Sequence, residues 1–154
     1  MLSRSQIAAL PLAAAAVATA LTTPAAATPP LSSAQACVVH TGPRLDCFDS
    51  YAAADASVGA VPPPGSAASP NCPSGWLCLY DGENWTGRRL QFRDEYWQPL
   101  SAWAFDRKTS SWHNNQGKDD WGHLAADGDQ LDLPPEGAAA TMGRYNVWAT
   151  HVNG

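Results

Sequence analysis

Three histidines, His113, His123 and His151, and a run of carboxylates, Asp119, Asp120, Asp127, Asp129 and Asp132, are the residues that could do acid–base or metal chemistry. A zinc hydrolase would need an HExxH pair, and a serine hydrolase a nucleophile beside its base. Neither pattern surrounds these histidines. DGDQLD at 127–132 lacks the oxygen and glycine positions of a calcium-binding EF-hand loop, so the acidic run reads as a solvated loop and strand face. Cys37, Cys47, Cys72 and Cys78 contain no CxxC pair and are joined by no histidine pair at ligand spacing, which argues against zinc. They read as disulfides. Four cysteines allow three connectivities, and the local pairings Cys37–Cys47 and Cys72–Cys78 are expected because each encloses a short segment able to turn back on itself. No catalytic residue and no cofactor are assigned.

Binding is the remaining chemistry. The chain has seven tryptophans. Trp85, Trp97, Trp103, Trp112 and Trp121 could form a stacking platform for sugars or a hot-spot surface for a protein. The plainer reading makes most of them core rings, with Trp97 and Trp121 exposed. Arg88 and Arg89 read as an exposed basic edge of a strand.

The elements that carry these residues follow from the chain's organisation. Residues 1–27 have one early charge, Arg4, an alanine-rich apolar run and the small residues Ala25-Ala26-Ala27, the pattern of a secretory signal peptide. The apolar run is shorter than the ~20 residues that span a bilayer. The product is expected to be extracellular, free of the membrane after cleavage, and monomeric. Net charge is −5, and an acidic chain of this kind is a poor partner for nucleic acid. Residues 28–71 comprise a Pro/Thr/Ser tail, a small unit in which CVVH and LDCF form a hairpin followed by a helix YAAADAS capped by Ser50, and a Pro/Ala-rich linker. Residues 72–154 show short apolar or alternating runs between turn residues and no amphipathic helix. The fold class is all-β.

An internal repeat sharpens this. Tyr80 and Trp121 are each followed by a glycine at the seventh position, Gly87 and Gly128. The register continues from Leu90 to Leu131, then shifts by one residue so that Asp106 matches Asn146 and Ser110 matches Thr150. Two copies of a strand-rich unit are packed together, since one cannot bury its apolar face alone. In each copy the ring should pack beneath a folded hairpin, the glycine should occupy a bend, and the hydroxyl should hold the hairpin down.

The aromatic-x6-Gly element with its later Asp/Asn-x-x-x-Ser/Thr-Ser element resembles the Greek-key signature of βγ-crystallins. CPSGWLCLY, NWTGRRLQF and KTSSWHNN resemble, more narrowly, a secreted bacterial family of peptidase inhibitors with that fold, best known against metalloproteinases. The resemblance implies two Greek keys forming a sandwich, with Tyr80/Gly87/Ser110 and Trp121/Gly128/Thr150 as corners. It also implies inhibition without catalysis, the partner being an extracellular protease met by a rigid loop. The candidate loop is Asn114, Asn115, Gln116, Gly117, Lys118, Asp119, Asp120 and Trp121. Inhibitory relatives can brace such a loop with a late disulfide. No cysteine follows Cys78 here, so the loop is expected to be unbraced. Calcium-binding crystallins place two Asn/Asp residues before the Ser/Thr. Arg107 and Val147 occupy the second position, so Asp106, Ser110, Asn146 and Thr150 read as remnants of a calcium site rather than a site.

Three functions compete at this level: a protease inhibitor, a tryptophan-based polysaccharide or cell-surface binding module, and a stress-protective or toxin-like crystallin domain.

Overall fold

A computed structural model describes residues 35–60 and 71–154. The expected signal peptide at 1–27, most of the expected tail and positions 61–70 of the expected linker lie outside the described residues. No described helix is long and apolar enough to cross a membrane.

The strands are β1 (Ala36–Val39), β2 (Leu45–Phe48), β3 (Leu77–Tyr80), β4 (Arg89–Phe92), β5 (Gln98–Pro99), β6 (Ser111–Asn114), β7 (Gly122–Ala126), β8 (Asp129–Leu133), β9 (Ala138–Ala139) and β10 (His151–Asn153), with one helix, α1 (Tyr51–Ser57). They form two sheets, in the orders β2-β1-β4-β3-β6-β9 and β5-β10-β7-β8. The fold is an all-β sandwich made of two four-stranded units, and each unit gives its third strand away. β5 of the first unit pairs with β10 of the second, and β9 of the second pairs with β6 of the first. The arches after those strands also lock reciprocally: the Arg107 amide donates to the Ala149 carbonyl at 2.8 Å, and the Val147 amide to the Thr109 carbonyl at 2.9 Å. Neither unit can complete its sheet without the other.

Side-chain alternation explains how one sheet serves two cores. On β3, Leu77 and Leu79 face the other sheet, where Leu124, Leu133 and Val152 wait. Cys78 and Tyr80 face outward into a smaller cluster with Ala36, Val38, Ala54 and Trp76. All four β3 residues are buried, as expected for a strand covered on both faces. The cover on the outer face is α1. Its N-cap is Ser50, whose hydroxyl accepts from the Ala53 amide at 3.1 Å. The hairpin β1–β2 carries the Cys37–Cys47 disulfide across directly opposed positions, and β1 joins the main sheet by pairing parallel with β4. The N-terminal unit is therefore part of the large sheet.

Arg89 corrects the expectation of a basic edge. It alternates outward on β4, beneath α1, and is fully buried. There its guanidinium is ion-paired with the buried Asp55 of α1, donates to Gln91 Oε1 at 2.6 Å, and lies 4.7 Å from the centre of the Tyr51 ring. Burial beside this cluster pushes the Tyr51 hydroxyl up to about 12 and raises that of Tyr80 further. Arg88 does not form an exposed edge either: it reaches the Trp103 carbonyl and stacks on Phe105.

Val147 is strained. It is half exposed, yet it holds φ at +50°, a left-handed conformation that suits a β-branched residue poorly. A non-glycine residue gives up roughly 1–2 kcal/mol there, and asparagine less. We expect Val147→Asn to stabilise the protein by about 1 kcal/mol, seen as a higher midpoint in thermal denaturation. An unchanged or lowered midpoint would mean that the valine makes compensating contacts.

Candidate functional site

The first hairpin answers the ring–glycine–hydroxyl pattern. Tyr80 is buried at the end of β3; its ring meets Tyr51 edge-on at 6.0 Å, and its hydroxyl donates to the Asn71 carbonyl at 2.8 Å. The chain then folds over in an eight-residue flap, 81–88, before β4 begins. Gly87 has φ +78°, and a Cβ there would lie 2.1 Å from Asp81 Oδ1, the atom that accepts from the Arg88 amide at 2.6 Å. No other residue fits.

The hydroxyl that holds the flap belongs to Ser111, one position beyond the expected Ser110. Ser111 Oγ donates to the Gly82 carbonyl at 2.6 Å and accepts from the Trp85 amide at 3.0 Å. Ser110 is buried and uses its backbone amide, bonded to the Tyr80 carbonyl at 2.8 Å; its hydroxyl makes only a 3.4 Å contact with Lys108. The reason is strand direction: Ser111 is the first residue of β6 and opposes Tyr80, so its side chain points to the flap's face of the sheet. We expect Ser111→Ala to cost about 2 kcal/mol, from two bonds lost in a part-buried setting, with Ser110→Ala costing well under half of that. Paired urea titrations read both; equal losses would put the latch elsewhere.

The second unit differs. Leu124 opposes Leu131 as Leu79 opposes Leu90, and the Thr150 amide reaches the Ala125 carbonyl at 3.0 Å just as that of Ser110 reaches Tyr80. The structural equivalent of Tyr80 is thus Ala125, not Trp121. The expected register holds on β8 and β10 and fails on β7, because the second hairpin has no flap. Ala126 pairs directly with Asp129 across a two-residue turn, Asp127-Gly128, both with positive φ. Asp-Gly is the sequence such a turn favours. Gly128 therefore serves a tight turn, Trp121 lies before β7 with about half its surface exposed, and Thr150 keeps the hydroxyl role, donating to the Ala125 carbonyl at 3.1 Å.

The candidate loop follows β6. Asn114 is buried, and its amide spans the loop: Nδ2 donates to the Asp120 carbonyl at 2.9 Å and to the Leu133 carbonyl at 3.0 Å, while Oδ1 accepts from the Gln116 amide at 3.2 Å. Asn115 ties the base of the loop to the Cys72–Cys78 clasp. Its Nδ2 donates to the Cys72 carbonyl at 2.7 Å, its amide donates to the Trp76 carbonyl, and its carbonyl accepts from the Gly75 amide at 2.7 Å. The tip is a turn closed by the Asp120 amide on the Gly117 carbonyl at 3.0 Å, with the Asp120 carboxylate accepting from the Gly117 amide at 3.2 Å. Gly117, Lys118 and Asp119 are exposed, and Gln116 is buried. The expectation of an unbraced loop is corrected. Its brace is two asparagines, and through Asn115 an early disulfide supports it at one remove.

Trp121 leads from this loop to a shallow cleft of about 270 Å³ that it lines with Glu95, Asp119, Asp120, His123 and Asn153. Trp97 lies against His123 with ring centres 6.2 Å apart. Trp97 and Trp121 are 43% and 51% exposed, whereas Trp103 and Trp112 are buried and Trp85 is pinned by its indole N–H to the Trp112 carbonyl at 3.1 Å. The five tryptophans do not share one surface.

Asp106, Ser110, Asn146 and Thr150 sit in the reciprocal arches, where Arg107 turns away to pair with Asp127 at 2.9 Å. That pairing holds the Asp127 carboxyl below its usual range. Among the described residues no group of three or more His, Cys, Asp or Glu is arranged to hold a metal ion. His113 lies on β6 and His151 on β10, as strand residues. His123 on β7 contacts the Asp132 carboxylate at 2.9 Å, and the hydrogen bond from Gln130 at 2.7 Å, with that from His123 second, holds that carboxyl below its usual range.

No curated protein and no solved structure matches the chain. The family model described as peptidase inhibitor family I36 matches residues 65–122. That stretch holds the Cys72–Cys78 clasp, the flap with its Ser111 latch and the whole candidate loop, and over it this chain is similar to a family of peptidase inhibitors.

Proposed function

We propose that this protein is a secreted, non-catalytic inhibitor of an extracellular peptidase, built on a βγ-crystallin-type sandwich and acting as a monomer through the loop at 114–121. One observation carries the reading: the segment similar to an inhibitor family ends in an exposed turn whose backbone is held by the hydrogen bonds of the buried Asn114. A loop already held in shape loses little entropy when a partner closes on it. The metallopeptidase class comes from the family resemblance.

The tip is a closed turn, and peptidases take substrates as extended segments. The loop is therefore read as blocking the mouth of a cleft with Lys118 and Asp119 foremost, without presenting a bond for cleavage. A titration of the purified protein against a thermolysin-type and a subtilisin-type peptidase tests this. Stoichiometric inhibition of the first supports the full proposal, and inhibition of the second alone would move the target to serine peptidases. No inhibition of either at micromolar protein, with rapid cutting in 114–121, would remove the inhibitor reading.

A further inference from the structure

Two large rings at the end of the loop, Trp97 and Trp121, are about half exposed. Large exposed rings are what protein interfaces use as anchors, and charged neighbours decide what they will accept. Trp121 and His123 both line the cleft, and the Trp97 ring lies 6.2 Å from that of His123. The cleft's charge is one-sided. Glu95, Asp119 and Asp120 line it, and none of the three is ion-paired to any described residue; Lys118, next in the chain, makes no such pair either. At about 270 Å³ it falls below the ~300–1,000 Å³ of pockets for whole small molecules, which suits a single side chain. A carboxylate-rimmed recess with an indole wall attracts a guanidinium or ammonium twice, through charge and through the ring face.

We infer that this cleft, between the Trp121 ring and Glu95, receives a cationic side chain, arginine or lysine, displayed by a protein partner. The inference deepens the inhibitor reading and rests on it for the partner's identity. It places a basic residue on the target peptidase near the rim of the blocked cleft, close to where Lys118 sits beside Asp119.

The test uses the full mature chain and acetylated tetra-arginine amide as the probe, followed by the seven indole N–H signals in NMR. Binding should shift the indoles of Trp97 and Trp121 and leave those of Trp103 and Trp112 still, and tetra-glutamine should shift none. The pair Glu95→Gln/Asp119→Asn should weaken binding at least tenfold, and Trp121→Ala should do the same. Removing the same charge from other exposed positions, with Asp49→Asn/Asp106→Asn, should weaken it less than threefold.

Equal weakening by the two charge pairs, or shifts spread over all indoles, would mean general attraction to an acidic protein and would overturn the inference. So would shifts caused by chitotetraose and not by tetra-arginine, which would make the rings a sugar platform. If the peptide binds as described and no peptidase is inhibited, the inhibitor reading falls and the cation subsite stands. Inhibition that survives Glu95→Gln/Asp119→Asn and Trp121→Ala unchanged leaves the inhibitor and removes the subsite from its interface.

Discussion

Asp55→Leu will cost about 3–5 kcal/mol of stability, the range for breaking a buried ion pair from one side. The variant leaves the Arg89 guanidinium beneath α1 with only neutral acceptors, the Asn71 and Tyr51 carbonyls and Gln91 Oε1. A buried cation held by dipoles alone is poorly compensated, and water cannot reach it without prising the helix from the sheet. Adding Arg89→Met to Asp55→Leu should return most of the loss, because an apolar pair of similar volume removes the stranded charge. Urea titrations of the single and double variants measure both. A loss below 1 kcal/mol for Asp55→Leu would show that α1 does not hold the outer face of the sheet. The N-terminal hairpin and helix would then be an ornament, where the structure has them completing a six-stranded sheet and its second core.

Asn114→Ala is the second large effect. It removes two donors from the carbonyls of Asp120 and Leu133 and one acceptor from the Gln116 amide. Each buried polar group left unpaired costs roughly 1–3 kcal/mol, so about 3 kcal/mol is expected after partial relaxation. The loss should be local in its consequence. The loop would open, and limited proteolysis, expected to be slow for the parent protein, should cut the variant between positions 115 and 121. Asn114→Asp should fare no better, since an ionised carboxylate has no N–H to give. Loop cleavage at the parent's rate in Asn114→Ala would show that the turn at Gly117 holds itself.

The parts of this architecture that the sequence made legible are those governed by periodicity. Alternation identified β3, β4, β6 and β8, and the matched spacing of Leu90 with Leu131 and of Ser110 with Thr150 exposed two units. Local cysteine spacing gave both disulfides. What failed depended on a neighbour remote in the chain. Arg89 looks like a surface residue until α1 is laid over it, and the only hint was a lone aspartate, Asp55, in an alanine helix. The flap's latch fell to Ser111 because β6 begins there, and element boundaries are the least certain part of any reading by propensity. Trp121 was matched to Tyr80 on a spacing that the Asp127-Gly128 turn satisfies for another reason. The two asparagines in SSWHNN carried the information that mattered most for the loop. Their meaning appears only when Asp120, Leu133 and Cys72 are brought beside them.

The claim that a pre-shaped loop makes this protein an inhibitor is tested most directly by one comparison: the inhibition constants of the parent and of Asn114→Ala against the same extracellular metallopeptidase. Circular dichroism must show that both sandwiches are intact. The account predicts tight, stoichiometric inhibition by the parent and at least tenfold weaker inhibition by the variant, accompanied by its cleavage within 115–121. Equal inhibition by the two proteins, with the variant's loop demonstrably open, would contradict it.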